Sequence, residues 1–185
     1  MKLYSLLRRL PIIGSVFRIV NAYAYKGNSH CQNTIAPIKL WWSRILKKML
    51  WVAFFVGVLL LIKFDNISNW VAADTILSVF PSVLGFGIGA FALLFIMPSN
   101  FMLFLTQKRE HLGFGPEIVP VDMGYPLIVF TFVMIIAGLN KMFPNLIFNV
   151  LSIWAFFYGL AMALELITFL FNASVVIHKI ISKDD

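Results

Sequence analysis

An acidic residue inside a long apolar stretch is the feature of this sequence with the clearest potential for chemistry. Glu165 lies within the apolar segment 146–177. An ionisable group in a membrane span is costly, and it usually faces protein or water. At helical spacing Glu165 shares one stripe with polar or small residues. These are Tyr158, Ala161, Thr168 and Asn172.

Two interpretations of Glu165 stay open. The carboxylate either faces a protein interior or the water-filled centre of an oligomer, or it lies near the membrane boundary and reaches headgroups or a loop cation. The polar stripe favours the first interpretation. The length of the segment leaves the depth of Glu165 open, so neither interpretation is preferred.

Catalytic and metal-binding chemistry find little support. Cys31 is the single cysteine, so one chain can build neither a disulfide nor a thiolate metal site. The three histidines are scattered without the spacing of a metal-binding helix. They are His30, His111 and His178. The cluster 108–111 (Lys-Arg-Glu-His) is typical of solvated loop charge. We therefore predict no enzyme activity, no metal and no cofactor.

Glycines alternate with large apolar residues in the sequence Gly85-Phe86-Gly87-Ile88-Gly89. A dinucleotide fingerprint is excluded, because no strand precedes these glycines. A potassium filter needs a similar sequence in a re-entrant loop, whereas here apolar sequence continues over 90–97. We favour close helix packing on one face of small residues, with a partner helix from the same chain or another copy. That face comprises Ser78, Ser82, Gly85, Gly89 and Ala92.

The composition of the chain indicates what kind of structure holds these residues in place. Hydrophobic residues make up 61% of the chain and charged residues 12%, which excludes a water-soluble domain. Backbone groups find no partners in lipid, so long apolar runs must be helices unless they close into a barrel. The runs lack the alternating polarity of barrel strands. The sequence therefore predicts an all-α polytopic membrane protein with four transmembrane helices.

The four spans divide the chain into three parts. Residues 1–45 form a basic cytoplasmic arm, 46–178 the transmembrane domain, and 179–185 a cytoplasmic tail. The fourth span exceeds what a bilayer needs, so it tilts or projects into water. The predicted spans are about 46–62, 75–97, 125–143 and 146–177.

Basic residues predict the orientation, since short cytoplasmic loops retain Lys and Arg. Thirteen of the fifteen fall on one side of the predicted spans, and only Lys63 and Lys141 fall on the other. Both termini are therefore predicted to be cytoplasmic. We expect the net charge of +7 to attract anionic lipid headgroups or a protein partner rather than nucleic acid. The predicted membrane-surface or partner-binding residues are Arg8, Arg9, Arg18, Lys47, Lys48, Lys108 and Arg109.

The arm itself is predicted to contain an interfacial helix. Its start resembles a secretory signal, but Arg18 interrupts the apolar region. Pro11 permits a bend, residues 27–33 form a polar hinge, and Pro37 can start the helix that enters the membrane. The apolar stripe of the interfacial helix recurs at helical spacing. It comprises Leu3, Leu6, Leu7, Leu10, Ile13 and Phe17.

The second predicted span carries a resemblance. Its segment 80–94, Phe-Pro-Ser-Val-Leu-Gly-Phe-Gly-Ile-Gly-Ala-Phe-Ala-Leu-Leu, resembles a segment of small bacterial four-span membrane subunits of phage-defence systems of the Kiwa type. The resemblance implies a homo-oligomer in the bacterial inner membrane. It also implies a cytosolic effector encoded beside it, for which nucleic-acid binding is one option.

From these features we expect an oligomeric membrane protein that senses or anchors at the membrane and passes a signal to a cytosolic effector. The alternative is a pore or ion-conducting effector. The basic arm and the loop 98–122 favour the first function, because they offer cytoplasmic surface that a minimal pore does not need. The polar stripe on the fourth span favours the second.

Overall fold

Helices account for the regular structure of the described chain. The computed structural model describes residues 10–62, 70–93, 106 and 117–184. Four helices in these ranges are long and apolar enough to cross a membrane, which confirms the prediction of an all-helical four-span protein. The helices are α1 (Ile13–Ala24), α2 (Ile38–Ile62), α3 (Ala72–Leu93), α4 (Ile118–Met142) and α5 (Leu146–Asp184).

Three of the spanning helices begin before the predicted spans, and α3 does so by three residues, at Ala72 instead of 75. Helix α2 starts directly after Pro37 and passes through one wide π turn over Trp42–Leu46 before it continues to Ile62. Helix α4 starts at Ile118 instead of 125. Its third residue is Pro120, which the first turn accepts because the N–H groups there have no helical partner. The described part of α3 ends at Leu93, so predicted residues 94–97 lie outside the described ranges.

Helix α5 is much longer than a bilayer requires. Its 39 residues span about 58 Å, against about 30 Å of hydrocarbon. A short turn separates it from α4, and the Asn145 side chain accepts a hydrogen bond from the Phe148 amide at 2.9 Å. This cap starts α5 immediately after the turn, so α4 and α5 are antiparallel neighbours.

Helix α4 lies at the centre of the bundle, since it packs against α1, α3 and α5, whereas α2 packs chiefly against α5. Close approach of α3 and α5 depends on Gly159, where a methyl group would lie 2.5 Å from the Phe80 ring. Phe80 is fully buried and contacts Phe130, with ring centroids 5.8 Å apart. Gly87 similarly lets the side chain of Leu127 approach α3.

The arm folds back on the bundle instead of lying apart from it. Asn21 is fully buried, and its amide donates to the carbonyls of Cys31 and Thr34 at 3.1 and 2.9 Å. Its side-chain oxygen accepts from the Ala36 amide at 2.8 Å. Gly27 has a φ of 74°, and a Cβ there would lie 2.8 Å from the Glu117 carbonyl. These contacts hold the segment predicted as a hinge against the start of α4.

The apolar stripe of the predicted interfacial helix is described only in part. Leu3, Leu6 and Leu7 lie outside the described residues. Leu10 and Ile13 are exposed, and the ring of Phe17 stacks against Trp41 with centroids 6.5 Å apart. The interfacial location of α1 stays a prediction.

Candidate functional site

A carboxylate, an ammonium group and a phenol meet where the arm joins the spans. The Lys48 Nζ lies 2.6 Å from both carboxylate oxygens of Glu165. The Tyr23 hydroxyl donates to Glu165 Oε1 at 2.5 Å, and Lys48 donates to the same hydroxyl oxygen at 2.8 Å. Burial, followed by the hydrogen bond to Glu165, raises the pKa of Tyr23 above its usual range. Tyr23 therefore stays a neutral donor beside the carboxylate.

A second ion pair lies against the same tyrosine. An Arg44 guanidinium nitrogen is 2.8 Å from Asp122 Oδ1, and both side chains are largely buried. The guanidinium carbon lies 4.3 Å from the centre of the Tyr23 ring, a cation–π distance. We call this set the charge junction. It consists of Tyr23, Arg44, Lys48, Asp122 and Glu165.

Two further tyrosines extend the charge junction into the bundle. The Tyr23 ring stacks on Tyr125, with centroids 4.0 Å apart and planes 9° from parallel. The hydroxyls of Tyr125 and Tyr158 lie 2.7 Å apart, and both side chains are buried. The polar groups on the α5 face thus have protein partners at these positions.

Helical spacing explains why α2 and α4 each direct two side chains toward the charge junction. Arg44 and Lys48 are four residues apart on α2, and Asp122 and Tyr125 are three apart on α4, so each pair shares one helix face. The helix α1 supplies Tyr23 between them. Two cations face two carboxylates, so the charge junction is formally neutral. Its chemistry is to hold the arm and three spans together through charge-assisted hydrogen bonds.

The predicted polar stripe on α5 is only partly brought together. Glu165 and Tyr158 face the bundle. Thr168 and Asn172 are exposed, and the Thr168 hydroxyl donates to the Leu164 carbonyl of its own helix. The cation beside Glu165 fits the second interpretation, in which the carboxylate reaches a cation near the membrane boundary. The cation belongs to the first part of α2, however, and not to a loop. A water-filled oligomer centre stays a prediction.

The predicted helix-packing face points away from the described chain. Its members Ser78, Ser82, Gly85, Gly89 and Ala92 are all exposed. Side chains added at Gly85 or Gly89 would meet no other group of the described chain within 4 Å. The neighbouring Gly87, outside the predicted set, makes the contact within the bundle. Packing of the predicted face against another copy stays a prediction.

The predicted basic residues separate into three groups. Arg8, Arg9, Lys108 and Arg109 lie outside the described residues. Arg18 and Lys47 are exposed. Lys48 is half-buried in the charge junction and is joined there by Arg44, which is not among the predicted binding residues. At the opposite end of the bundle, Lys141 pairs with Asp74 on the surface.

The fold and the charge junction define a four-span helical membrane protein with an arm bound to its spans. In the described ranges, no three His, Cys, Asp or Glu residues lie close enough together to hold a metal ion. Comparison with family models, with curated proteins and with solved structures finds no match for this chain.

Proposed function

We propose that this protein is an oligomeric inner-membrane sensor or anchor that signals to a cytosolic effector, in phage defence. The charge junction is the observation that carries the proposal. It joins Tyr23 of the arm to Lys48 of α2 and Glu165 of α5 through contacts of 2.5 to 2.8 Å. A change in the packing of the spans therefore changes the position of the arm, which is the part suited to a cytosolic partner.

The direction of signalling rests on charge. The predicted orientation places the arm and the end of α5 in the cytoplasm, because thirteen of fifteen basic residues fall on that side. The resemblance of segment 80–94 to Kiwa-type subunits supports the inner membrane and the effector. The exposed small face of α3 supports the oligomer, since close helix contact in lipid favours such a surface.

The alternative function is a pore or ion-conducting effector. One observation favours it: the buried hydroxyls of Tyr125 and Tyr158 lie 2.7 Å apart, and Tyr158 is about two helical turns from Glu165 on α5. The state of Glu165 favours the sensor instead. Its oxygens are occupied by Lys48 and Tyr23, so the carboxylate is already neutralised and offers little to a passing ion.

Copurification and ion flux together test the two functions. The full chain, tagged at its C-terminus, is expressed with the products of the adjacent reading frames, cross-linked in cells and purified in detergent. The sensor proposal expects one cytosolic product at fixed stoichiometry. Reversing Arg8, Arg9 and Arg18 to Glu should reduce its recovery in a salt-sensitive way, since each basic residue near a charged surface contributes about 1 kcal/mol.

The matched control is Lys141→Gln, at the opposite end of the bundle, which should leave recovery unchanged. In parallel, the protein is reconstituted in vesicles loaded with a potassium or proton dye. Ion flux above that of protein-free vesicles, with no cytosolic product recovered, would refute the sensor function and support the pore.

A further inference from the structure

We propose that the outward face of α2 binds an anionic phospholipid, with the phosphate at Lys47 and an acyl chain along the span. A groove of about 610 Å³ lies on this face at the start of the span. It is lined by Trp42, Ser43, Lys47, Leu50, Trp51 and Phe54. This inference does not depend on whether the protein is a sensor or a pore.

The charge of the groove identifies the headgroup. Of the three closely spaced cations at the start of α2, Arg44 and Lys48 are neutralised by Asp122 and Glu165. Lys47 instead points outward and has no ion-pair partner among the described residues. None of the described residues that line the groove is acidic. A negatively charged phosphate supplies the opposite charge that would neutralise Lys47.

Trp42 and Lys47 place the first part of the groove at the level of lipid headgroups, and its later aromatic residues extend into the span. Trp42 and Trp51 are 52% and 64% exposed on the same helix as Lys47. Tryptophan is enriched at the membrane–water boundary, where its ring is amphipathic, and lysine beside it can reach the polar layer. The groove thus combines a cation with aromatic walls at the depth where a glycerophosphate group lies.

The groove continues toward the interior of the span. Phe54 also lines a second depression of about 500 Å³ with Gly57, Val58, Leu60 and Leu61. Gly57 has no side chain, and a Cβ there would meet no other atom of the described chain within 4 Å. The second depression is almost wholly apolar in its lining residues, so it fits an acyl chain.

A second copy of the chain fits this face less well. A two-fold contact brings the same patch of both copies together. Lys47 would then approach the Lys47 of the other copy, and the groove offers no acid to neutralise them. The face is also lined by bulky aromatic side chains, whereas close helix contact in lipid favours small residues. We therefore assign the groove to lipid.

Native mass spectrometry of the full-length protein tests the assignment. The protein is purified in detergent and titrated with phosphatidylglycerol or with phosphatidylcholine of the same acyl chains. We expect phosphatidylglycerol to be retained preferentially. Lys47→Gln should weaken its retention about fivefold, as expected for one basic residue worth about 1 kcal/mol.

The matched control is Lys39→Gln, which removes an exposed lysine of the same helix that does not line the groove. Its effect on phosphatidylglycerol retention should be much smaller. Equal losses in the two variants, or no preference for phosphatidylglycerol in the wild type, would overturn the site, because non-specific attraction to surface charge would then explain the binding.

A second variant tests the acyl-chain part without removing charge. Gly57→Leu fills the second depression, and the open space around Gly57 lets the bundle accept it. It should reduce retention of both lipids while the thermal stability in detergent stays unchanged. Unchanged retention at unchanged stability would contradict the acyl-chain placement.

Cross-linking tests whether a second copy of the chain, instead of lipid, covers the groove. In a Cys31→Ser background, Trp51→Cys places the single thiol of the chain on the groove face. Efficient disulfide formation between copies in native membranes would assign the face to a second copy and overturn the lipid site. The absence of a disulfide-linked dimer on a denaturing gel after oxidation supports lipid.

Discussion

The Lys48 Nζ lies 2.6 Å from both carboxylate oxygens of Glu165, although 117 residues separate the two in the sequence. Their side chains are 35% and 28% exposed, so water screens part of the attraction. Removing one partner leaves the other charge half-buried. We expect Lys48→Met or Glu165→Leu to cost between the ~1 kcal/mol of an exposed pair and the ~3 kcal/mol of a buried one.

A double-mutant cycle measures this coupling from the free energies of unfolding of the wild type, the two single variants and the double variant in detergent. The double variant should lose less than the sum of the single losses. The exposed pair Lys141 and Asp74 gives the control cycle, with a coupling below about 1 kcal/mol. Additive losses at Lys48 and Glu165 would show that their contact contributes nothing to stability.

Glu165→Gln separates charge from hydrogen bonding. Glutamine still accepts the hydrogen bond of Tyr23 but cannot neutralise Lys48. If signalling depends on charge, Glu165→Gln and Glu165→Leu both lose activity while the oligomer persists. Loss of assembly with leucine alone would instead indicate a structural hydrogen bond. Full activity and assembly of the leucine variant would remove Glu165 from the functional site.

The predicted topology is tested by reporter fusions. A reporter active only outside the cytoplasm should be active after Asp65 and after Lys141, and inactive after His111 and after Asp185. The distribution of basic residues is the reason, because cytoplasmic loops retain them. The reverse pattern of activities would place the arm outside the cytoplasm and refute the proposed direction of signalling.

The exposed glycines of α3 test the oligomer. Gly85→Leu and Gly89→Leu should shift the protein to smaller species on native gels, because a large side chain keeps facing helices apart. A Cβ at either position would meet no other group of the described residues within 4 Å, so the stability of the single chain should change little. Phe86→Leu is the control on the same helix. Wild-type migration of both glycine variants would exclude this face from assembly.

Close packing inside the bundle is tested at Gly159. Gly159→Ala places a methyl group against the buried ring of Phe80 and should destabilise the bundle by about 1–3 kcal/mol, as overpacking does. Gly138→Ala is the control, since no other group of the described chain lies within 4 Å of a Cβ at that position of α4. Thermal unfolding in detergent measures both. An equal effect of the two variants would contradict the described approach of α3 and α5.

The attachment of the arm is tested at Asn21. Asn21→Leu removes three hydrogen bonds and leaves the buried Ala36 amide without this partner, at a cost of about 1–3 kcal/mol for that group. Proteolysis of segment 28–36 should become faster. The exposed Asn33→Ala is the control. Unchanged cleavage in Asn21→Leu would show that this side chain does not hold the segment in place.

The spans could be predicted from the sequence because lipid allows few solutions for an apolar run. The boundaries of the helices are harder to predict, because the first residues of α4 are polar enough to be typical of a loop. Asp122 is one of them, and its charge lies inside the protein only because Arg44 meets it there.

The charge junction could not be predicted, since its ion pairs join residues 78 and 117 positions apart. A partial indication was present. Glu165 lies within a predicted span, Asp122 lies three residues before another, and the closely spaced Arg44 and Lys48 offer the matching number of cations. Charge balance could therefore have suggested the pairs, but not the place of Tyr23 between them. Asn21 gave no such indication, because buried and solvated asparagines look alike in one sequence.

The length of α5 has a mechanical consequence. The helix continues to Asp184, about 28 Å beyond Glu165 at the usual rise per residue. Glu165 is held by Lys48 and Tyr23 near one end of the bundle. With this contact fixed, a tilt of α5 by about 10° displaces the end of the helix by about 5 Å over that length. In the proposed sensor, this displacement passes a small adjustment of the bundle in its bilayer to the cytosolic effector.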